Sequence, residues 1–161
     1  MIDEPVLTTL SPQCTAVIHL QIPRETIQQE MKPAIDEVLT VLAGQGLAPV
    51  GPLFTRHLCL SDTHFDFEVG FPINAPIEEK GRVYNSQLPG GQVVQTLYQG
   101  PYENLYAAWR SFGGRLESFR LPNGEMLRRG AGLWESYLTG PESSTDPNAW
   151  RTLLVVPLNE S

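Results

Sequence analysis

Glu135 and Tyr137 stand two residues apart in Leu133-Trp134-Glu135-Ser136-Tyr137-Leu138, a run bounded by glycines before it and Gly140-Pro141 after it. Read as a strand, it sends alternate side chains to opposite faces. Leu133, Glu135 and Tyr137 then share one face, and Trp134, Ser136 and Leu138 the other. A carboxylate beside a phenol can do two kinds of chemistry. Among ring faces it attracts a delocalised cation, by charge and by the ring quadrupoles. Alternatively it activates a water as general base while the phenol hydrogen-bonds a developing oxyanion. The plain reading stands beside both: a solvated acid on an open strand face.

Other chemistries lack their residues. His19, His57 and His64 fall on three separate segments with no close ligand pair, so no metal is expected. No Gly-x-Ser-x-Gly elbow occurs, and Gly90-Gly91 leads into a strand, not a phosphate-binding helix. No cofactor is expected.

The elements that must position Glu135 follow from periodicity. Thr15 to Ile22 alternates, with Ala16, Ile18, Leu20 and Ile22 on one face, and Pro23 ends it. A helix is expected from about Thr26 to Ala43, its stripe formed by Ile27, Met31, Ile35, Val38 and Leu42. Thr26 with Gln29 resembles a capping box, and Pro33 either kinks the helix or marks its first turn. Leu47 to Leu60 has β signals, Ser61-Asp62-Thr63 is a turn, and Phe65 to Phe71 alternates with its phenylalanines and Val69 on one face. Residues 1–12 read as a surface lead-in and Asn74 to Gly91 as a connector.

The second half repeats the first. Val93 to Tyr98 is a strand closed by Gly100-Pro101, and a helix follows from about Glu103 to Phe119, with Leu105, Trp109, Phe112, Leu116 and Phe119 in one stripe. Leu133 to Leu138 and Trp150 to Leu158 are the last strands. Leu53 to Leu58 aligns with Leu133 to Leu138, and Phe67 to Ile73 with Thr152 to Leu158. Each half is thus strand, helix, strand, strand, an internal duplication. The expected fold is α+β: duplicated βαββ units with pseudo-twofold symmetry, an antiparallel sheet, two main helices and a central cleft. The repeats cover about 12–74 and about 90–158 of a single domain over 1–161.

The duplication nominates further cleft residues. Phe54 and His57 are the counterparts of Trp134 and Tyr137, and Tyr98 and Tyr102 flank the Gly100-Pro101 bend at the helix start. Trp109 lies in an apolar stripe, where aromatics usually serve the core.

Composition sets the bounds. With 161 residues, 41% of them apolar, the chain suits one sizeable core. A net charge of -7 argues against phosphate-backbone binding, so no direct nucleic-acid contact is expected. No apolar run approaches the ~20 residues that span a bilayer. The N-terminus lacks the basic and apolar regions of a signal peptide, which makes a cytoplasmic location the expectation. Cys14 and Cys59 are expected as two buried thiols.

Gly100-Pro101-Tyr102, the helix after it, Trp134 to Pro141 and Leu153 to Leu158 together resemble the GyrI-like small-molecule-binding family. Gly46 to Pro52 and Leu88 to Gly91 are also similar to it, and the resemblance covers residues 12–158. The same domain forms the effector-binding module of some AraC-type and MerR-type bacterial regulators. The resemblance implies an aromatic cleft with a central glutamate that holds lipophilic cations. Glu135 matches that glutamate, and Tyr137 and Trp109 match cleft aromatics. The implied function is multidrug or effector binding by a stand-alone member, with a small lipophilic cation as ligand. Some members resemble hydrolases of strained cyclopropane-type compounds, in which Glu135 and Tyr137 would be catalytic. Others sequester a larger target, which leaves room for a protein partner. No DNA-reading segment is recognised, a departure from the regulators.

Overall fold

Alternation in the strands and three-to-four spacing in the helices shape each half of the protein. The computed structural model describes residues 2–60, 63–130 and 132–159. In chain order its first elements are β1 (Val6–Leu10), β2 (Gln13–Pro23), α1 (Ile27–Gly44), β3 (Phe54–Leu60), β4 (His64–Pro72) and β5 (Tyr84–Leu88). Then come β6 (Gly91–Gln99), α2 (Leu105–Ser118), β7 (Leu133–Thr139) and β8 (Arg151–Pro157). The fold is α+β, and every strand pair described below is antiparallel.

The chain forms two compact units: an N-terminal one, Ser11–Gly90, and a C-terminal one made of Met1–Leu10 with Gly91–Ser161. Within the N-terminal unit the strand order is β3-β4-β2-β5. Ala16, Ile18, Leu20 and Ile22 of β2 and Phe67 and Val69 of β4 meet Ala34, Val38 and Leu42 of α1. Each such large apolar side chain contributes roughly 1.5–3 kcal/mol on full burial. Gly70 lies in β4 opposite Val17. A Cβ there would meet the Ala16 carbonyl and come within 2.8 Å of the Val17 Cα, so only glycine lets β2 and β4 pair this closely.

Within the C-terminal unit the order is β7-β8-β6-β1, the same pattern of strand, neighbour, first strand and added edge. Phe112 and Leu116 of α2 pack with Val94 of β6 and Leu154 and Val156 of β8. The duplicated element order is therefore present in both units.

Several local expectations are corrected. Residues 6–10 are not a loose lead-in but the edge strand β1, paired with β6 from Val6↔Gln95 to Leu10↔Gly91. The connector contains β5, which pairs with β2. Both segments are five residues long and lack a clean alternation of apolar and polar residues, and backbone pairing to an existing edge overrides weak periodicity. Thr26 precedes α1 but makes no capping bond; its hydroxyl donates to the Pro23 carbonyl at 3.0 Å. Pro33 lies within α1, not in its first turn. Cys14 and Cys59 are free and exposed, not buried. Cys59 follows a bulge after His57 that sets it opposite Asp66. Ser61 and Asp62, placed in a turn by sequence, lie outside the described residues.

Candidate functional site

β7 carries the central acid and α2 brings its partner across the C-terminal unit. Glu135 sits opposite Leu154, in the core-facing row with Leu133 and Tyr137. Its side chain is buried, with the residue only 8% exposed. The Trp109 indole Nε1–H donates to Glu135 Oε1 at 2.6 Å, and the Tyr137 hydroxyl donates to Oε2 at 2.7 Å. Hydrogen bonds to a charged acceptor are worth about 1.5–3 kcal/mol each. They hold both oxygens in place but bring no positive charge. Among the described residues no ion pair reaches this carboxylate.

Rings continue outward from it. Trp109 stacks near Phe112, with centroids 5.8 Å apart, and Tyr137 meets Tyr102 edge-on at 5.6 Å. Tyr102 then meets Trp150 at 4.8 Å. The register of β6 on β8 explains Trp150: Gln99 pairs with Arg151, and the Gly100 N–H donates to the Trp150 carbonyl at 2.9 Å. The residue before β8 is thereby set beside the bend that starts α2. Gly100 has a φ of +149°, and a Cβ on it would come within 2.9 Å of the Tyr98 ring, so the bend requires glycine.

Burial pushes the Tyr102 hydroxyl above the usual phenol range, and the nearby Glu142 charge pushes it further. Tyr98 is only 2% exposed and serves the core; its hydroxyl donates to the Pro101 carbonyl at 2.7 Å. Its pKa is likewise raised by burial and then by Glu103. Thr152 stands between Tyr98 and Tyr137 in the ladder, fully buried, and its hydroxyl has no partner among the described residues.

Four of the residues singled out in sequence are therefore contiguous: Glu135, Tyr137, Trp109 and Tyr102. Tyr98 lies two strands over, across β8, in the packing. Phe54 and His57 belong to the N-terminal unit. Phe54 is 1% exposed and pairs with Gly70, while the His57 ring packs at 5.5 Å from Phe67.

That unit has a second buried acid. Glu68 of β4 is 6% exposed and accepts from the Tyr84 hydroxyl at 2.5 Å and the Ser86 hydroxyl at 3.0 Å. The contrast is in charge. Arg56 Nη1 lies 3.7 Å from Glu68, so this carboxylate is neutralised from within. Glu135 has the same two-donor arrangement without the arginine. Among the described residues no group of three or more His, Cys, Asp or Glu is placed to hold a metal. No helix of the described residues is long and apolar enough to cross a membrane.

A family model for the GyrI-like small molecule binding domain matches residues 4–159. The chain belongs to this family. Among solved structures, the GyrI-like chain is similar to the EcmrR C-terminal domain, with a TM-score of 0.82, 19% identity and 98% of each chain covered. In the EcmrR–DNA complex the match covers 98% of this chain but 58% of that one, at 17% identity and a TM-score of 0.81. It is also similar to SAV2435 bound to tetraphenylphosphonium, with a TM-score of 0.61, 12% identity, and 98% and 94% of the two chains covered. A hydrolase from Listeria innocua matches at a TM-score of 0.62 and 14% identity, over 97% and 92%. At these identities the likeness establishes the fold. No curated protein sequence matches the chain.

Two features of this GyrI-like chain, one in each unit, escaped the sequence reading. Trp150 was read only as the start of a strand; the register of β8 on β6 was the signal that could have placed it. Glu68 sits in a strand of phenylalanines, where alternation alone suggests an exposed acid. Its partners come from β5, which sequence periodicity does not reveal.

Proposed function

We propose that this protein binds lipophilic organic cations, with Glu135 as the counter-charge and Trp109, Tyr137 and Tyr102 as ring walls. The observation that carries this reading is a buried carboxylate held by two neutral donors, with no ion-pair partner among the described residues. A buried unpaired charge is unfavourable. A ligand that supplies the missing charge recovers that loss. An ion pair at 4 Å is worth about 1 kcal/mol in water and about 4 kcal/mol at an effective dielectric of 20. Each ring face adds about 0.5–2 kcal/mol. Such a site asks for charge and flatness more than for a particular hydrogen-bond pattern, which favours breadth of ligand. SAV2435, a structural neighbour, holds tetraphenylphosphonium, a ligand of this class.

The partner is therefore a small molecule, and we place the protein in the cytoplasm as an effector-binding unit of the kind found in transcription regulation. The test is calorimetric titration with tetraphenylphosphonium. Micromolar binding is expected, and Glu135→Gln weakens it about tenfold or more, since a lost ion pair of 1.4 kcal/mol is one decade. Unchanged affinity in that variant removes the charge from the account. Turnover of strained-ring or activated-ester substrates, lost in Glu135→Gln, would instead assign the site to hydrolysis.

A further inference from the structure

The ring chain that starts at Glu135 does not end in packing. Beyond Tyr102 it opens into a groove of about 450 Å3, lined by Pro101, Tyr102, Glu103, Pro147, Asn148 and Trp150. Tyr102 and Trp150 are half-buried there, with centroids 4.8 Å apart and planes inclined at 37°. The groove is built rather than incidental. The Trp150 indole N–H donates to the Ser144 carbonyl at 2.9 Å, and the Asp146 carboxylate accepts from the Asn148 N–H at 3.0 Å. Two prolines fix the backbone on either side.

The charged residue in the lining is an acid, and a second acid stands close by. Glu103 lines it, and Glu142 stands near the Tyr102 hydroxyl, since a methyl on Gly140 would meet that hydroxyl and, at 3.1 Å, the Glu142 carboxylate. The lining contains no lysine or arginine.

We infer that this groove is a second, outer binding position for a flat aromatic cation, held against Tyr102 and Trp150 with Glu103 and Glu142 as counter-charges. Its volume lies within the ~300–1,000 Å3 of small-molecule sites. Two rings supply the face and two partly solvated carboxylates the charge. Its counter-charges are distinct from Glu135, and Tyr102 lies between the two positions, its ring 5.6 Å from that of Tyr137 and 4.8 Å from that of Trp150. A cation held here is weaker-bound than at a sheltered carboxylate, because water screens Glu103 and Glu142.

The experiment uses the full chain and ethidium as probe, with uncharged phenanthridine as control. Binding is followed by calorimetry and by the Trp150 indole N–H resonance, assigned with Trp150→Phe. Wild type should bind two ethidium molecules. Glu135→Gln should weaken the tighter step about tenfold or more and leave the other step, which shifts the Trp150 resonance, at its wild-type affinity. Adding Glu103→Gln and Glu142→Gln to that variant should weaken this other step about fivefold or more, with circular dichroism unchanged and phenanthridine unaffected. The inference is overturned if Glu135→Gln retains no ethidium, if the Trp150 resonance is unmoved, or if the two glutamine substitutions leave affinity as it was. Failure at Glu135 alone shows as a Glu135→Gln variant that binds both molecules with wild-type affinity, which separates the two sites.

Discussion

Glu135 accepts hydrogen bonds from two neutral donors and has no ion-pair partner among the described residues. Glutamine at that position keeps an oxygen for the Trp109 N–H, and its amide can donate to the Tyr137 oxygen. The polar contacts survive and the unbalanced charge goes. Glu135→Gln should therefore raise the melting temperature by about 2–4 °C, the shift that about 1 kcal/mol produces at this size, while it weakens cation binding. A drop in melting temperature by scanning calorimetry would mean that the charge is stabilising and already balanced. Glu68 is the internal control for this logic. Its arginine at 3.7 Å makes it a structural acid, and Arg56→Ala should destabilise the protein by about 3–5 kcal/mol, because it strands a buried carboxylate.

At the scale of elements, the sheet of the N-terminal unit has a pH signature. Tyr84 of β5 has its pKa raised well above the ordinary 10, chiefly by burial and then by its bond to Glu68. A pKa raised on folding means that the folded state holds the proton more tightly. That stability is fully present below the unfolded value near 10 and is lost as pH rises through it toward the folded value. Denaturant midpoints should fall as pH climbs past about 10, and Tyr84→Phe should flatten that fall, though Tyr98 and Tyr102 contribute in the same sense. An unaltered slope in Tyr84→Phe would show that β5 carries no such linkage. Gly70→Ala tests the close pairing of β2 and β4. It should destabilise by about 2 kcal/mol or more, because the obstructing atoms are backbone and cannot rotate away.

For the whole molecule, the duplicated α+β plan was legible in the sequence because Ile18, Leu20 and Val69 alternate and Leu105, Phe112 and Leu116 recur at helical spacing. The geometry of the candidate site was partly legible: alternation put Glu135 and Tyr137 on one face, and they hydrogen-bond. Trp109 was ambiguous for a physical reason, since one ring both packs on Phe112 and donates from its N–H, and periodicity sees only the packing. β1, β5 and Trp150 were not legible because their places are set by pairing with distant strands, which leaves no local pattern. A ligand at one hundred times its Kd should stabilise wild type by about 2.7 kcal/mol.

The most direct measurement separates charge from shape. Methyltriphenylphosphonium and its uncharged analogue triphenylphosphine oxide should be titrated calorimetrically into wild type and Glu135→Gln. The account predicts that wild type prefers the cation by about tenfold or more and that the variant loses that preference, a coupling of about 1.4 kcal/mol. Equal losses for both ligands, or a cation preference that survives the substitution, would contradict it.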